Sequence, residues 1–159
     1  MRKSIRAIAA ALTVALILPA VVLSAWPVAN RQSYISQSFH KGHRADDIAT
    51  PAGTRVVPIK SGHVVFAGFK HNCGGKQVWI SHGNGLYSAY YHLKSIGVSK
   101  GQHVNRSQTR LGRSGQSGCA AGPHVHVEVW RGFPWGSGAY RVNPWKRINS
   151  GYWLPYRYR

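Results

Sequence analysis

Residues 122–129 read Gly122-Pro123-His124-Val125-His126-Val127-Glu128-Val129. Valine alternates with polar side chains at a period of two, the signature of a half-buried β-strand. Residues two apart on a strand share a face. Val125, Val127 and Val129 therefore point to one side, the expected core, and His124, His126 and Glu128 to the other. Two imidazoles about 6–7 Å apart on one face lose solvation and side-chain freedom unless something uses them. Two surface histidines on an edge strand are the alternative reading. Glu128 reads equally as a partner that orients an imidazole and as an edge carboxylate.

The same grammar extends outward. Short apolar runs at residues 56–59, 63–69, 77–81 and 87–93 are expected strands. They are separated by Ser61-Gly62, by residues 72–75 and by Gly83-Asn84-Gly85, the last a hairpin signal. Residues 98–104 and 110–113 are weaker strand candidates. No stretch sustains an apolar period of 3.6, and eighteen Gly with eight Pro disfavour a helical bundle. The chain of 159 residues is long enough for one domain, and its 43% hydrophobic share is enough to bury a core despite the charge. The reading is all-β.

Lys and Arg number 21 and Asp and Glu 3, a formal net charge of +18. Asp46, Asp47 and Glu128 are the whole carboxylate supply, too few for a calcium cage or a paired-carboxylate glycosidase site. Nine histidines turn attention to imidazole chemistry instead. The basic residues are scattered rather than clustered, which argues against nucleic acid. An anionic envelope polymer or membrane surface is the better-fitting partner.

Arg2, Lys3 and Arg6 precede an uncharged run from Ala7 to Trp26 that ends at Leu23-Ser24-Ala25. This reads as a secretory signal over 1–25, with an uncleaved anchor as the alternative. The expected location is secreted, periplasmic or attached to the cell envelope. Cys73 and Cys119, an even count in an exported chain, are expected to form a disulfide. Free thiols and metal ligation are the alternatives, the latter weak because there is no CxxC pair.

Two further segments carry chemistry. Gly42-His43-Arg44-Ala45-Asp46-Asp47 places an imidazole and a carboxylate three residues apart, donors that Zn²⁺ accepts together. Alternatively, Asp47 caps the bend at residues 51–54. Tyr90-Tyr91-His92-Leu93 ends an aromatic strand on a histidine that alone reads as structural. Together the three segments offer His43, Asp47 and one histidine of the 124/126 pair. Three protein ligands with an open position are the arrangement of a catalytic zinc. The remaining histidine of the pair and His92 are left for proton transfer or charge stabilisation.

These segments resemble the lysostaphin/LytM-type zinc endopeptidases of bacterial cell walls. The shared markers run from about His40 to Trp145. They include Gly62-His63-Val64-Val65, His82-Gly83-Asn84-Gly85, Tyr91-His92-Leu93, Gly101-Gln102-His103-Val104, the 122–128 segment and Val142-Asn143-Pro144. The resemblance implies mostly antiparallel sheets forming a groove, of the duplicated-hybrid-motif type. It implies one Zn²⁺ per chain held by His43, Asp47 and His126, with His124 and His92 as catalytic histidines. His124 is the expected general base and His92 the oxyanion partner, two roles that could be exchanged. The implied reaction is hydrolysis of amides in peptidoglycan stems and cross-bridges by a monomer. A catalytically inactive wall-binding or regulatory domain of the same fold is the alternative. The corresponding division is a lead-in over 26–39, a metallopeptidase domain over 40–148 and a basic aromatic tail over 149–159. Asp46, beside the implied ligand, could compete for the metal or orient a histidine, and is expected to face solvent.

Overall fold

Eleven strands and almost no helix make up the described part of the chain. They are β1 (Tyr34–Gln37), β2 (Asp46–Ala49), β3 (Arg55–Val56), β4 (Gly62–Lys70), β5 (Gly75–Ser81), β6 (Leu86–Tyr91), β7 (Ser95–Ile96), β8 (His103–Val104), β9 (Gly112–Arg113), β10 (His124–Arg131) and β11 (Tyr140–Val142). The structure is a computed structural model and describes residues 26–144. The expected export signal, the aromatic tail and residues 145–148 lie outside the described residues.

Every named pairing is antiparallel. The large sheet runs β1-β2-β10-β6-β5-β4-β8, with β11 added to β10, and β3-β9-β7 form a small second sheet. The all-β reading of the sequence holds. Val125, Val127 and Val129 are fully buried, as the alternation of β10 requires. They join Ile48, Val78, Ile80 and Tyr90 in the main core, with Val56 and Leu111 from the small sheet's side. A second cluster on the other side of the large sheet holds Trp79, Ala89, Tyr91 and Trp130.

The differences from the sequence reading are local. Residues 26–39, read as a polar lead-in, contain β1 and Val28, which is buried and bridges to Val56. β2 and β11 are not apparent in sequence because each is short and takes its strand form from pairing with β10. The weak candidate at 98–104 shrinks to β8, and 110–113 to β9. The Cys73–Cys119 disulfide is present, with Cα atoms 4.7 Å apart.

Candidate metal centre

Sheet register assembles the site. On β2 the side chains alternate, so Asp46 and Ile48 turn to the core and Asp47 turns away. Asp47 pairs across the sheet with His126, and His126 pairs on its other side with Tyr91. The row Asp47–His126–Tyr91 thus crosses three strands on one face. His43 reaches it from a tight reversal in which His40 and His43 exchange two backbone hydrogen bonds, of 2.8 and 3.1 Å.

The donors of His43, Asp47 and His126 all lie within 4.8 Å of one another. Nδ1 of His126 is 2.7 Å from Asp47 Oδ1, and Nε2 of His43 is 3.1 Å from Asp47 Oδ2. Both ring nitrogens of His43 are nonetheless buried without a hydrogen-bond partner. Burial pushes the Asp47 carboxyl up, but the His126 hydrogen bond and the charges of His126, His43 and His124 outweigh it and hold it below its usual range. For His126 burial acts downward, and Asp47 and Glu128 overcome it to raise the imidazole to about 9. A carboxylate set among imidazoles, one of them with orphaned nitrogens, suits a divalent cation of borderline softness.

His124 and His92 flank these donors without joining them. Nε2 of His124 lies 3.8 Å from Asp47 Oδ1, and its Nδ1–H donates to the Gly122 carbonyl at 2.9 Å. His92 follows β6 with a positive φ of 61°, an uncommon conformation that recurs at functional sites. Its backbone N–H is held by the Gly74 carbonyl, and its Nδ1–H donates to the Ser117 carbonyl at 2.8 Å. Both rings therefore carry their Nε2 lone pairs free, and their centroids are 4.6 Å apart. Burial, with the neighbouring imidazoles, keeps His92 below the ordinary histidine range.

Glu128 is almost fully buried and accepts the Tyr91 hydroxyl at 2.5 Å and the Trp130 indole N–H at 2.8 Å. Its Oε1 is 3.4 Å from His126 Nε2 and 3.1 Å from Arg141 Nη1. It is an orienting partner and not an edge carboxylate. Asp46 is also buried, contrary to the solvent-facing expectation. The alternation that aims Asp47 at the site turns its neighbour inward, where Oδ1 accepts the Phe39 N–H at 2.9 Å. Nor does Asp47 cap the bend at residues 51–54. That bend is closed by the Thr54 N–H to the Pro51 carbonyl and by Ser114 Oγ, which donates to Pro51 and accepts from Thr54. Tyr91, Trp135 and Arg141 carry no role in the sequence reading. Strand alternation on β6 was the available signal for Tyr91. Nothing local marks the other two.

The chain matches the family Peptidase family M23 over residues 41–144. It belongs to that family. The peptidoglycan DD-endopeptidase ShyA of Vibrio cholerae is 44% identical over 93 residues, which are 58% of this chain and 21% of that protein. Lysostaphin of Staphylococcus simulans is 33% identical over 87 residues, 54% of this chain and 17% of its own length. This M23 chain thus spans about a fifth of the length of the curated relatives it matches. A crystal structure of a putative peptidase M23 from Pseudomonas aeruginosa superposes with a TM-score of 0.62 at 37% identity, covering 70% of this chain and 46% of that one. The catalytic domain of the antimicrobial peptidase lysostaphin gives 0.60 at 27% identity, covering 71% and 88%.

Proposed function

We propose that this M23 chain is an exported zinc endopeptidase that hydrolyses amide bonds in the peptide stems and cross-bridges of peptidoglycan. The observation that carries the reading is the convergence of His43, Asp47 and His126, with His92 and His124 beside them. Nδ1 of His126, Nε2 of His43 and the Asp47 carboxylate would hold the ion, one per chain. Zinc held there supplies Lewis acidity for amide hydrolysis and makes water acidic enough to attack near neutral pH.

The chain's own groups do the rest. His124 takes the proton of the attacking water at Nε2, since that atom is directed at the Asp47 side of the site and its Nδ1–H is committed to Gly122. His92 presents Nε2 to the same space. Burial disfavours its cationic form in the free chain; a proton taken up from solvent at Nε2 as negative charge develops on the carbonyl oxygen lets His92 donate a hydrogen bond to that oxygen. Glu128 fixes the His126 ring by holding Nε2–H, which leaves Nδ1 unprotonated for the ion. The intact five-residue set counts against an inactive wall-binding domain.

The shared activity named for the peptidoglycan relatives supports the substrate class. The net charge supports retention near anionic envelope polymers, weakened by salt. The test is the purified chain with one zinc bound, incubated with insoluble peptidoglycan, and mass spectrometry of the released muropeptides. Release that stops on chelation and returns with zinc is expected. A zinc-loaded chain that releases nothing, or release that persists in His126→Ala, overturns the reading.

A further inference from the structure

Beside the metal centre lies a cavity of about 540 Å³ lined by Arg44, Trp130, Trp135, Tyr140 and Arg141 among others. Its construction is unusual. The Arg141 guanidinium lies over two indoles that touch one another with centroids 5.3 Å apart, 4.8 Å from the Trp130 centroid and 4.6 Å from that of Trp135, and reaches Glu128. Trp135 adopts a positive φ of 64°, which bulky residues rarely do. Its indole remains 53% exposed while its Nε1–H donates to the Tyr91 hydroxyl at 3.3 Å. Tyr140, on the same cavity, is 60% exposed. The backbone is thus held in an unfavourable conformation to keep a large aromatic ring at the surface, where burial alone would tuck it in.

Charge defines the occupant. Arg44 lies over the Phe39 ring at 5.5 Å and makes no hydrogen bond or ion pair among the described residues. The chain has only three carboxylates, and Asp46 and Asp47 are committed to the interior and to the metal site. Glu128 is spent beneath the cavity on Tyr91, Trp130 and Arg141. The cavity therefore holds a planar guanidinium fork without an internal acceptor, flanked by exposed aromatic faces. A carboxylate on a short aliphatic stem matches both, with bidentate contacts to Arg44 and the stem against Trp135 and Tyr140. A neutral sugar would match the rings and leave the arginine unpaired.

We propose that this cavity is a subsite for a carboxylate of the substrate peptide. It makes the enzyme prefer stems whose acidic groups are free over stems in which they are amidated. The inference rests on the peptidoglycan reading above, because Arg44 directly follows His43 and Arg141 is linked through Glu128 to His126.

The test measures binding separately from turnover. The zinc-loaded full chain is titrated, by calorimetry and tryptophan fluorescence, with the uncross-linked stem tetrapeptide L-Ala-γ-D-Glu-L-Lys-D-Ala. Its carboxyls are either all free or all amidated. The free form is expected to bind at least tenfold more tightly. Arg44→Gln should collapse that ratio toward one, and Arg44→Lys should restore part of it, with zinc content unchanged in both. Equal binding of the two forms by the unmodified chain, or an undiminished ratio in Arg44→Gln, overturns the subsite. So does an N-acetylated wall disaccharide that binds as tightly as the free tetrapeptide. A preserved ratio with no release from whole peptidoglycan would sink the hydrolase reading alone, and release without a ratio would sink the subsite alone.

Discussion

Glu128 Oε1 lies 3.4 Å from His126 Nε2, on the opposite side of the imidazole from the nitrogen that meets Asp47. The two carboxylates grip one ring from both sides and favour its doubly protonated form; with an ion in place of the proton on the Asp47 side, Glu128 holds the proton that remains on Nε2. Glu128→Gln keeps an acceptor for Tyr91 and Trp130, but its amide NH₂ would then face His126 Nε2 and Arg141. An N–H cannot face an NH₂, so the imidazole moves its proton to Nδ1 and loses the lone pair that holds the ion. Orienting partners of this kind are worth about 10–100-fold in metal affinity. Competition against a chromogenic chelator should show a zinc affinity lower by that factor. An affinity within twofold of the parent would show that Glu128 is only packing.

The disulfide bears on catalysis through His92. The Cys73–Cys119 link spans 46 residues, and Cys119 N–H also bonds the Cys73 carbonyl at 2.8 Å. The two loops it ties are those that hold His92, one by the Gly74 carbonyl and the other by the Ser117 carbonyl. On the chain-entropy model a closed loop of this size contributes about 4 kcal/mol. Cys73→Ser with Cys119→Ser should lower the denaturation midpoint accordingly. It should also cut turnover more than zinc occupancy, since His43, Asp47 and His126 lie on other elements. Equal losses of both would disconnect the bridge from His92.

Legibility in the sequence followed periodicity. β10 could be read because Val125, Val127 and Val129 alternate with His124, His126 and Glu128, and its buried face follows directly. β2 could not, because Asp46-Asp47-Ile48-Ala49 is too short and too charged to look like a strand until β1 and β10 pair with it. The same blindness hid Asp46, whose burial follows from alternation only once the strand is known. His43, Asp47 and the 124/126 pair were legible as candidate donors from local spacing, whereas the choice of His126 and the roles of His124 and His92 came only with the family resemblance. Arg141 and Trp135 were not, since their relation to Glu128 depends on β11 and on the turn before it.

His92 and His124 should separate metal binding from chemistry. Each is fixed by an Nδ1–H to a backbone carbonyl and neither belongs to the three-residue donor group. His92→Ala and His124→Ala are expected to keep zinc at parent stoichiometry while turnover falls by about 10²–10⁴, the range for proton transfer and charge stabilisation. The double variant should be little worse than either single one, because groups that act as a unit are non-additive. Elemental analysis beside a muropeptide-release assay gives both readings. Loss of zinc in either single variant would make that histidine a ligand.

His82 links stability to pH away from the metal. Its Nδ1–H donates to the Ser61 carbonyl at 3.0 Å, and its Nε2 accepts from the Ser88 hydroxyl at 2.8 Å. Ser88 Oγ lies 3.1 Å from the Tyr90 hydroxyl, which accepts the Ile59 N–H at 2.9 Å. The network needs a neutral imidazole, because protonated Nε2 cannot accept from Ser88. Burial, with Lys60 nearby, pushes His82 down to about 4 from an ordinary 6.5, against the opposing Ser61 bond. The folded state therefore binds the proton more weakly than the unfolded chain does. The stabilisation is fully present above pH 6.5 and is lost as pH falls toward 4, reaching about 3 kcal/mol. Denaturant melts of the parent and of His82→Gln, which keeps a donor and an acceptor without titrating, should be parallel above pH 7. They should diverge below 6.5, with the parent losing stability faster. Parallel curves down to pH 4.5 would mean that His82 is protonated in the folded chain at its ordinary pH.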